Sequence, residues 1–270
     1  MKQVPEKALY LKSDAEIALM RRAGHLLQRI IREVTEAVHP GITTLELDRL
    51  AYNRIKEAKA IPGFLGLYDF PNTLCISVNE EIVHGIPSRR KLLEGDIVSI
   101  DCGLILNDFF ADTAYTVPVG RISAEAQRLI DVTRQSLYAG INAIKPGGRV
   151  GDIGAAVEKV VHEAGYHCTE GYTGHGVGRH LHEKPDVPND SKRAGIRLQP
   201  GMTLAIEPMI NQGTSKTKRL KDDWTVVTAD GSLSAHFEHT VAITRDGVEI
   251  LTLDDKLEKE NKAHGATVSA

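Results

Sequence analysis

Apolar residues recur at helical spacing in two stretches near the start of the chain. The first follows Ser13, a residue type that caps helices, and its apolar positions repeat every three or four residues. We expect a helix from there to about residue 38, where the Pro40-Gly41 pair ends it. The second stretch begins at Thr43 or Thr44 and predicts another helix to about residue 59.

The pattern then changes to short apolar runs that are typical of β-strands. Residues 74–78 form one such run and predict a strand. The stretch 95–116, GDIVSIDCGLILNDFFADTAYT, holds two more runs, one ending on Asp101 and the other on Asp112. We expect a β-hairpin that ends near Gly120 and directs both carboxylates to one place.

The order of two helices followed by short apolar runs recurs in the second part of the chain. Helices are predicted from residue 123 to about residue 144 and from about residue 150 to residue 164, with a Lys-Pro-Gly stop at 145–147. We interpret the recurrence as an internal repeat. It predicts two related α+β halves, about 13–120 and 121–253, that face each other.

A constant offset of 106 residues relates the two halves. The segments that match at this offset are Pro40-Gly41 and Pro146-Gly147, Glu57-Ala58 and Glu163-Ala164, and Gly95 and Gly201. The same offset carries Asp101 onto Glu207, which follows the apolar run 202–206. The acid that ends the first run therefore has an acidic counterpart in the second half. Near the end of the chain, Glu238 lies in a predicted strand and is the expected partner of Asp112.

Together the acids at the ends of or inside apolar runs predict a metal site, to which the glycine-flanked imidazole of His175 would contribute. The acids are Asp101, Asp112, Glu207 and Glu238. Four carboxylates cannot converge as bare anions, because each raises the pKa of the others. Two divalent cations would compensate this charge and lower the pKa of a bridging water. A ligand set of oxygen atoms with one nitrogen suits Mn, Fe(II), Co or Zn and does not choose among them.

Each of these residues also has an ordinary structural interpretation. A single Asp in a hairpin is typical of a turn, and single histidines in glycine-rich segments are usually structural or solvated. The set as a whole favours the metal site. His84 and His182 each lie in a His-x-x-Pro sequence and would remain free to contact a substrate. The other eight histidines are interpreted as structural or solvated: His25, His39, His162, His167, His180, His236, His239 and His264.

Composition and charge narrow the class of protein further. A net charge of −3 gives no electrostatic reason to expect nucleic acid or an anionic membrane as a partner. The three cysteines have no C-x-x-C spacing and indicate a reducing compartment. The sequence contains no apolar run of membrane-spanning length and no apolar segment typical of a signal peptide near its start. We therefore expect a cytoplasmic protein.

Several stretches resemble the type I methionine aminopeptidases of the M24 metallopeptidase family. They are CISVNEEIVHGIP (75–87), the hairpin 95–116, GHGVGRHLHEKP (174–185), PGMTLAIEPM (200–209) and DDWTVVTADGSLSAHFEHT (222–240). The resemblance implies the pseudo-symmetric pita-bread fold, an α+β arrangement of antiparallel sheet and flanking helices. It also implies removal of the initiator methionine from nascent polypeptides, by attack of a dimetal-bridging hydroxide on the first peptide bond.

The resemblance assigns roles to residues of the predicted site. By analogy, Asp112 and Glu238 bridge two ions, Asp101 serves one ion, and His175 and Glu207 serve the other. His84 would contact the scissile peptide, His182 would stabilise the tetrahedral intermediate, and Glu207 would also shuttle a proton. Phe70, Cys75 and Trp224 match positions that line the methionine pocket. Leu67 stands where many relatives have a Tyr, and the adjacent Tyr68 could compensate.

The same resemblance organises the chain into three parts. Residues 1–12 would be an N-terminal arm, 13–253 a single catalytic domain and 254–270 a C-terminal tail. An X-Pro aminopeptidase or prolidase is the nearest alternative, but those enzymes usually carry an extra N-terminal domain. A non-catalytic relative that binds protein or RNA would have lost metal ligands. We expect a monomer, and the sequence leaves docking on the ribosome open.

Overall fold

Four α-helices flank the sheets in this computed structural model, which describes residues 9–145 and 147–253. They are α1 Asp14–Glu36, α2 Thr44–Glu57, α3 Ala124–Asn142 and α4 Val150–Glu163. Each end falls within two residues of its predicted position. Ser13 and Glu16 form a capping box at α1, in which each residue bonds the backbone N–H of the other. The predicted helices are therefore confirmed.

The strands are short except for one pair. The first half contributes β1 Ile61–Pro62, β2 Leu74–Val78, β3 Glu81–Val83, β4 Ile97–Leu106 and β5 Phe109–Pro118. The second half contributes β6 His167–Cys168, β7 Gly174–Gly176, β8 Glu183–Val187, β9 Thr203–Ile206, β10 Met209–Asn211, β11 Thr217–Arg219, β12 Val226–Thr228, β13 Ser234–His236, β14 Glu238–Ile243 and β15 Val248–Ile250.

The predicted hairpin is confirmed as β4 and β5, which pair along their whole length. Its strands are longer than the apolar runs, so Asp101 and Asp112 lie inside the strands rather than at their ends. The strands continue because Asn107 and Asp108 form the turn, with φ of 52° and 66°. Two left-handed residues are typical of a type I′ turn, whose twist matches that of the strands it joins.

One sheet, whose strands differ in length, joins the two halves. Its strand order is β1-β4-β5-β14-β9-β7-β8, with β2 also paired to β4 and β15 to β14. The hairpin of the first half and the β14–β9 pair of the second half meet where β5 pairs antiparallel with β14. Each half therefore presents an antiparallel pair to the middle of the sheet, as expected for the predicted pseudo-symmetric fold.

The offset of 106 residues recurs in the geometry of the two halves. Helices α2 and α4 are both 14 residues long and begin 106 residues apart, at Thr44 and Val150. The Gly41 N–H donates to Leu92 O, and the Gly147 N–H donates to Leu198 O at the same offset. The limits of arm, catalytic domain and tail stay a prediction, and residues 254–270 lie outside the described residues.

The helices cover one face of the central hairpin. Ile100 and Cys102 are fully buried in the main core together with Leu27 and Ile31 of α1. Because side chains alternate along a strand, Asp101 points to the opposite face. Among the described residues, none of the helices has the length and apolar content needed to cross a bilayer.

Candidate metal centre

Strand pairing places three of the predicted ligands on one face of the sheet. Asp101 and Glu238 are both paired with Ala114, one from each neighbouring strand. Asp112 lies two residues before Ala114 on β5 and so faces the same side. These three acids therefore converge although they come from three different strands.

The other two predicted ligands reach the same face from the far side of β14. His175 on β7 is paired with Ala205, and Ala205 is paired with Thr240, two residues after Glu238. Glu207 follows Ala205 by two residues. The period of two along each strand thus brings all five predicted residues to one face, where they line a common pocket.

The side chains approach closely enough to share a cation. His175 Nε2 lies 3.4 Å from Glu207 Oε1 and 3.9 Å from Asp112 Oδ2. One ligand atom each from Asp112, His175 and Glu238 lie within 4.8 Å of one another. A second group of the same dimensions consists of Glu207, His236 and Glu238. The two groups share Glu238.

Burial and mutual repulsion shift the pKa values of this cluster in the directions that favour the neutral forms of its side chains. Burial raises the pKa of Asp112 to about 7. Burial, followed by the charges of neighbouring acids, raises the pKa of Asp101, Glu207 and Glu238 well above its ordinary value. Burial also lowers the pKa of His175 to about 3. Without cations, the cluster therefore holds protons at a pH where exposed carboxyls have lost them.

Unsatisfied atoms in the cluster fit the presence of divalent cations. Among the described residues, buried atoms without a hydrogen-bond partner include Asp101 Oδ1, Asp112 Oδ1, His236 Nε2 and Glu238 Oε1. Such atoms are costly unless a proton, donor or cation compensates them. Carboxylate oxygens with imidazole nitrogens are the ligands preferred by Mn, Fe, Co and Zn. The residues present therefore fit a centre for divalent cations.

An apolar pocket of about 130 Å³ lies directly above the acids. Phe70 and Trp224 form part of its wall, with ring centroids 5.1 Å apart in an edge-to-face arrangement. Cys75 lies beside the floor because it is paired with Asp101 across β2 and β4. The three side chains predicted to line a methionine pocket thus all line this cavity.

The loop before β2 supplies the remaining wall and part of the rim. Leu67 is half-buried and lines the cavity, as predicted. Tyr68 is 60% exposed, and its ring stacks near the His182 ring at 6.0 Å, so it sits at the rim. Phe64 reaches the wall because Gly103 has no side chain; a Cβ there would lie 2.6 Å from the Phe64 ring.

Two further histidines border the pocket and belong to different halves. The His84 backbone has φ of 60°, and burial lowers the pKa of its ring to about 4. His182 is exposed, and its ring lies 4.5 Å from that of His175. Both line the pocket and a second, outward cavity of about 370 Å³ that also contacts Tyr172. They therefore stand where a chain leaving the pocket would pass.

Sequence reasoning missed His236, which was interpreted as structural or solvated. The structure instead buries it, with 1% exposure, and places its Nε2 3.5 Å from Glu207 Oε2. A signal for this position was present in the sequence. His236 precedes Glu238 by two residues in a predicted strand, so the alternation of side chains puts both on one face. Phe64 and Leu181 of the pocket wall were also missed.

Buried carboxylates and imidazoles beneath an apolar pocket are typical of a metal-dependent hydrolase. The sequence model of metallopeptidase family M24 matches residues 18–245 of the chain. The chain therefore belongs to metallopeptidase family M24.

A methionine aminopeptidase of Clostridium perfringens is 50% identical over 246 residues, which cover 91% of this chain and 99% of that protein. Methionine aminopeptidase 1 of Bacillus subtilis is 48% identical, covering 89% and 98%. The crystal structure of methionine aminopeptidase from Rickettsia prowazekii matches with a TM-score of 0.89 at 40% identity, covering 91% of this chain and 100% of that one. Within family M24, the chain therefore belongs to the methionine aminopeptidases.

More distant members share the fold alone. The prolidase from Pyrococcus horikoshii matches with a TM-score of 0.74 at 21% identity. This chain covers 64% of that prolidase, against nearly all of the methionine aminopeptidases. The fold class predicted from the sequence is confirmed by these matches.

Proposed function

We propose that the protein removes the initiator methionine from newly made polypeptides. The observation that carries this proposal is the position of the apolar pocket directly over the acidic cluster. An unbranched side chain with a sulfur atom suits a small pocket lined by aromatic rings and a thiol. The first peptide bond of a bound chain would then lie beside the cluster.

The cluster would hold two divalent cations. Asp112, His175 and Glu238 form one group of ligand atoms, and Asp101 lies beside it on the same face. Glu207 lies against His175 and would complete the coordination. Bound divalent cations would polarise the first peptide carbonyl and lower the pKa of the attacking water. That there are two cations, and that they are Co, Mn, Fe or Zn, is part of this proposal.

The chain's own residues would orient the substrate and move protons. His84 and His182 border the pocket from opposite halves and can contact the peptide as it leaves. The exposed His182 ring is placed to stabilise negative charge on the carbonyl oxygen. Glu207 lies 3.4 Å from His175 beside the proposed cations, where it would accept a proton from the attacking water and pass it to the leaving amine.

The setting of the activity is part of the same proposal. The substrate emerges from ribosomes, so docking there remains a prediction, as does a monomeric state. The cysteines Cys75, Cys102 and Cys168 are free thiols, which supports a reducing, cytoplasmic location. The net charge of −3 supports a partner other than nucleic acid or an anionic membrane.

Peptide hydrolysis with matched substrates tests the proposal. The metal-loaded protein should release Met from Met-Ala-Ser and leave Leu-Ala-Ser and Ala-Pro-Ser intact. The pocket, rather than the cluster alone, then sets the specificity. Cleavage of Ala-Pro-Ser in place of Met-Ala-Ser would instead assign an X-Pro aminopeptidase activity, and no cleavage of any peptide would refute the proposed function.

A further inference from the structure

We propose that His236 is a positioning residue of the metal centre. Its Nε2–H would donate a hydrogen bond to Glu207 Oε2 and hold the other carboxylate oxygen, Oε1, towards His175 and the cations. This inference rests on the proposed function only in treating Glu207 as a ligand.

Backbone contacts fix the position of the His236 ring. The His236 N–H donates to Thr116 Oγ1 at 2.8 Å, and the Thr116 hydroxyl lies 2.9 Å from His236 O. On its other side His236 is paired with Met209, two residues after Glu207. The ring is therefore held between the two halves, beside the chain segment that carries Glu207.

The Nε2 atom of the His236 ring needs a hydrogen-bond partner from the surrounding side chains. It is 1% exposed, and among the described residues its Nε2 has no hydrogen bond. A buried nitrogen without a hydrogen-bond partner loses its bonds to water and gains none in return. The nearest acid atom is Glu207 Oε2 at 3.5 Å. A shift of a few tenths of an ångström would make this contact a hydrogen bond, as catalytic contacts often tighten once the site is loaded.

The two oxygens of Glu207 face different imidazoles. Oε1 lies 3.4 Å from His175 Nε2, on the side of the group formed with Asp112 and Glu238. Oε2 lies on the side of His236. A neutral imidazole carries one N–H, and donation to Oε2 satisfies both the ring and that oxygen. Oε1 then remains available to a cation, and the carboxylate cannot rotate away from it.

The neighbouring His239 offers a matched control. It is equally buried but lies in the next strand, β14, on the face opposite to Glu238, where its ring contacts Thr252 Oγ1 at 3.1 Å and the Tyr138 hydroxyl at 3.2 Å. A substitution at His239 removes a buried imidazole of the same strand region without touching Glu207. Effects specific to the metal centre should therefore appear at His236 and not at His239.

Calorimetric titration of the metal-stripped protein with Mn²⁺ tests the proposal without substrate. Loss of a partner that orients a ligand typically weakens metal affinity about 10–100-fold. We expect a loss of that size in His236→Leu, near-complete retention in His236→Gln, whose amide can donate, and no change in His239→Gln. Unchanged affinity in a folded His236→Leu protein would overturn the proposal.

Nitrogen NMR of the imidazoles separates a positioning role from direct ligation and does not depend on how the Leu variant folds. With ¹⁵N-labelled His, Nε2 of His236 should carry a proton both before and after addition of Zn²⁺. Loss of that proton with direct coordination of Zn²⁺ would overturn the proposal. Neither measurement uses peptide hydrolysis. A failure to cleave peptides would therefore refute the proposed function without deciding the role of His236.

Discussion

Asp101 and Glu207 occupy equivalent positions in the two halves but have different surroundings. Asp101 lies inside a continuous strand and is half-buried beside Asp112, with Cys75 opposite it on the neighbouring strand. Glu207 lies between the imidazoles of His175 and His236. The first half thus contributes only carboxylates to the cluster, whereas the second half also contributes nitrogen atoms.

The strands around the two acids explain the difference. Strand β4 runs through Asp101 without a break, but β9 ends before Glu207 because Pro208 has no N–H to continue the ladder. The chain then enters β10 of a second, three-stranded sheet, where it pairs with the strand that carries His236. The repeat therefore places an acid in each half, and the strand crossover in the second half adds the imidazoles.

Removal of Glu207 should have the largest effect. Glu207→Ala is expected to abolish turnover of Met-Ala-Ser and to weaken metal binding, because it removes both a proposed cation ligand and the proposed proton carrier. Asp101→Ala should also weaken metal binding, but it leaves Glu207 in place between the imidazoles of His175 and His236. Steady-state rates and metal titrations check both variants. Equal losses of rate and metal affinity in the two would contradict the distinction drawn between the halves.

Removal of His182 should have the next largest effect. His182→Ala is expected to lower kcat by about 10²–10³-fold, the loss typical of one oxyanion donor. Metal affinity should stay unchanged because the ring is exposed at the rim rather than buried in the cluster. Stopped-time assays at saturating peptide measure kcat directly. A normal kcat with a raised KM would assign His182 to substrate binding alone.

A buried ion pair ties the start of the chain to the segment that carries His182. Lys12 Nζ contacts Glu183 Oε2 at 2.5 Å, and the two side chains are 1% and 7% exposed. Lys12→Met should destabilise the protein by about 3–5 kcal/mol, because it leaves the buried Glu183 carboxylate without a compensating positive charge. Urea unfolding of the metal-stripped protein measures this change.

A surface pair provides the control for Lys12. Arg121 contacts Glu94 at 3.4 Å, but their side chains are 97% and 52% exposed. Arg121→Ala should therefore change the free energy of unfolding by less than about 1 kcal/mol. A loss as small as this in Lys12→Met would show that the ion pair contributes little to fixing the second half.

A further expected effect is a dependence of stability on pH in the metal-stripped protein. Burial raises the pKa of Asp112 to about 7 from 3.8, so the folded state holds a proton at Asp112 that the unfolded state has already lost. The contribution of Asp112 to stability should therefore fall as pH rises from about 4 to about 7. Buried histidines such as His175, whose pKa is lowered to about 3, act in the opposite direction, so the contribution of Asp112 is measured as the free energy of unfolding of the wild type minus that of Asp112→Asn. A difference that rises or stays constant across this pH range would contradict the account.

Local patterns were sufficient to predict the helices, the hairpin and the four acids and one imidazole of the cluster. The helices were predictable because their apolar spacing and caps lie within the same segment. The cluster was predictable because acids inside apolar runs are rare, and the offset linked Asp101 to Glu207. The roles of these residues as ligands stay a prediction.

Features that depend on strand pairing could not be predicted. The extension of β4 beyond Asp101 depends on its pairing with β5 through the Asn107–Asp108 turn. His236 was missed because its neighbour Glu207 comes from a distant segment, joined to it only through the β10–β13 pairing. Lys12 joins Glu183 across 171 positions of sequence, and neither residue's environment signals the other.

The most direct test of the metal centre is a titration of the metal-stripped protein with each of Mn²⁺, Fe²⁺, Co²⁺ and Zn²⁺ while release of Met from Met-Ala-Ser is measured. The account predicts no release before addition, recovery of activity with at least one cation, and no recovery in Glu207→Ala under the same conditions. Full activity of the stripped protein, or full recovery in Glu207→Ala, would contradict it.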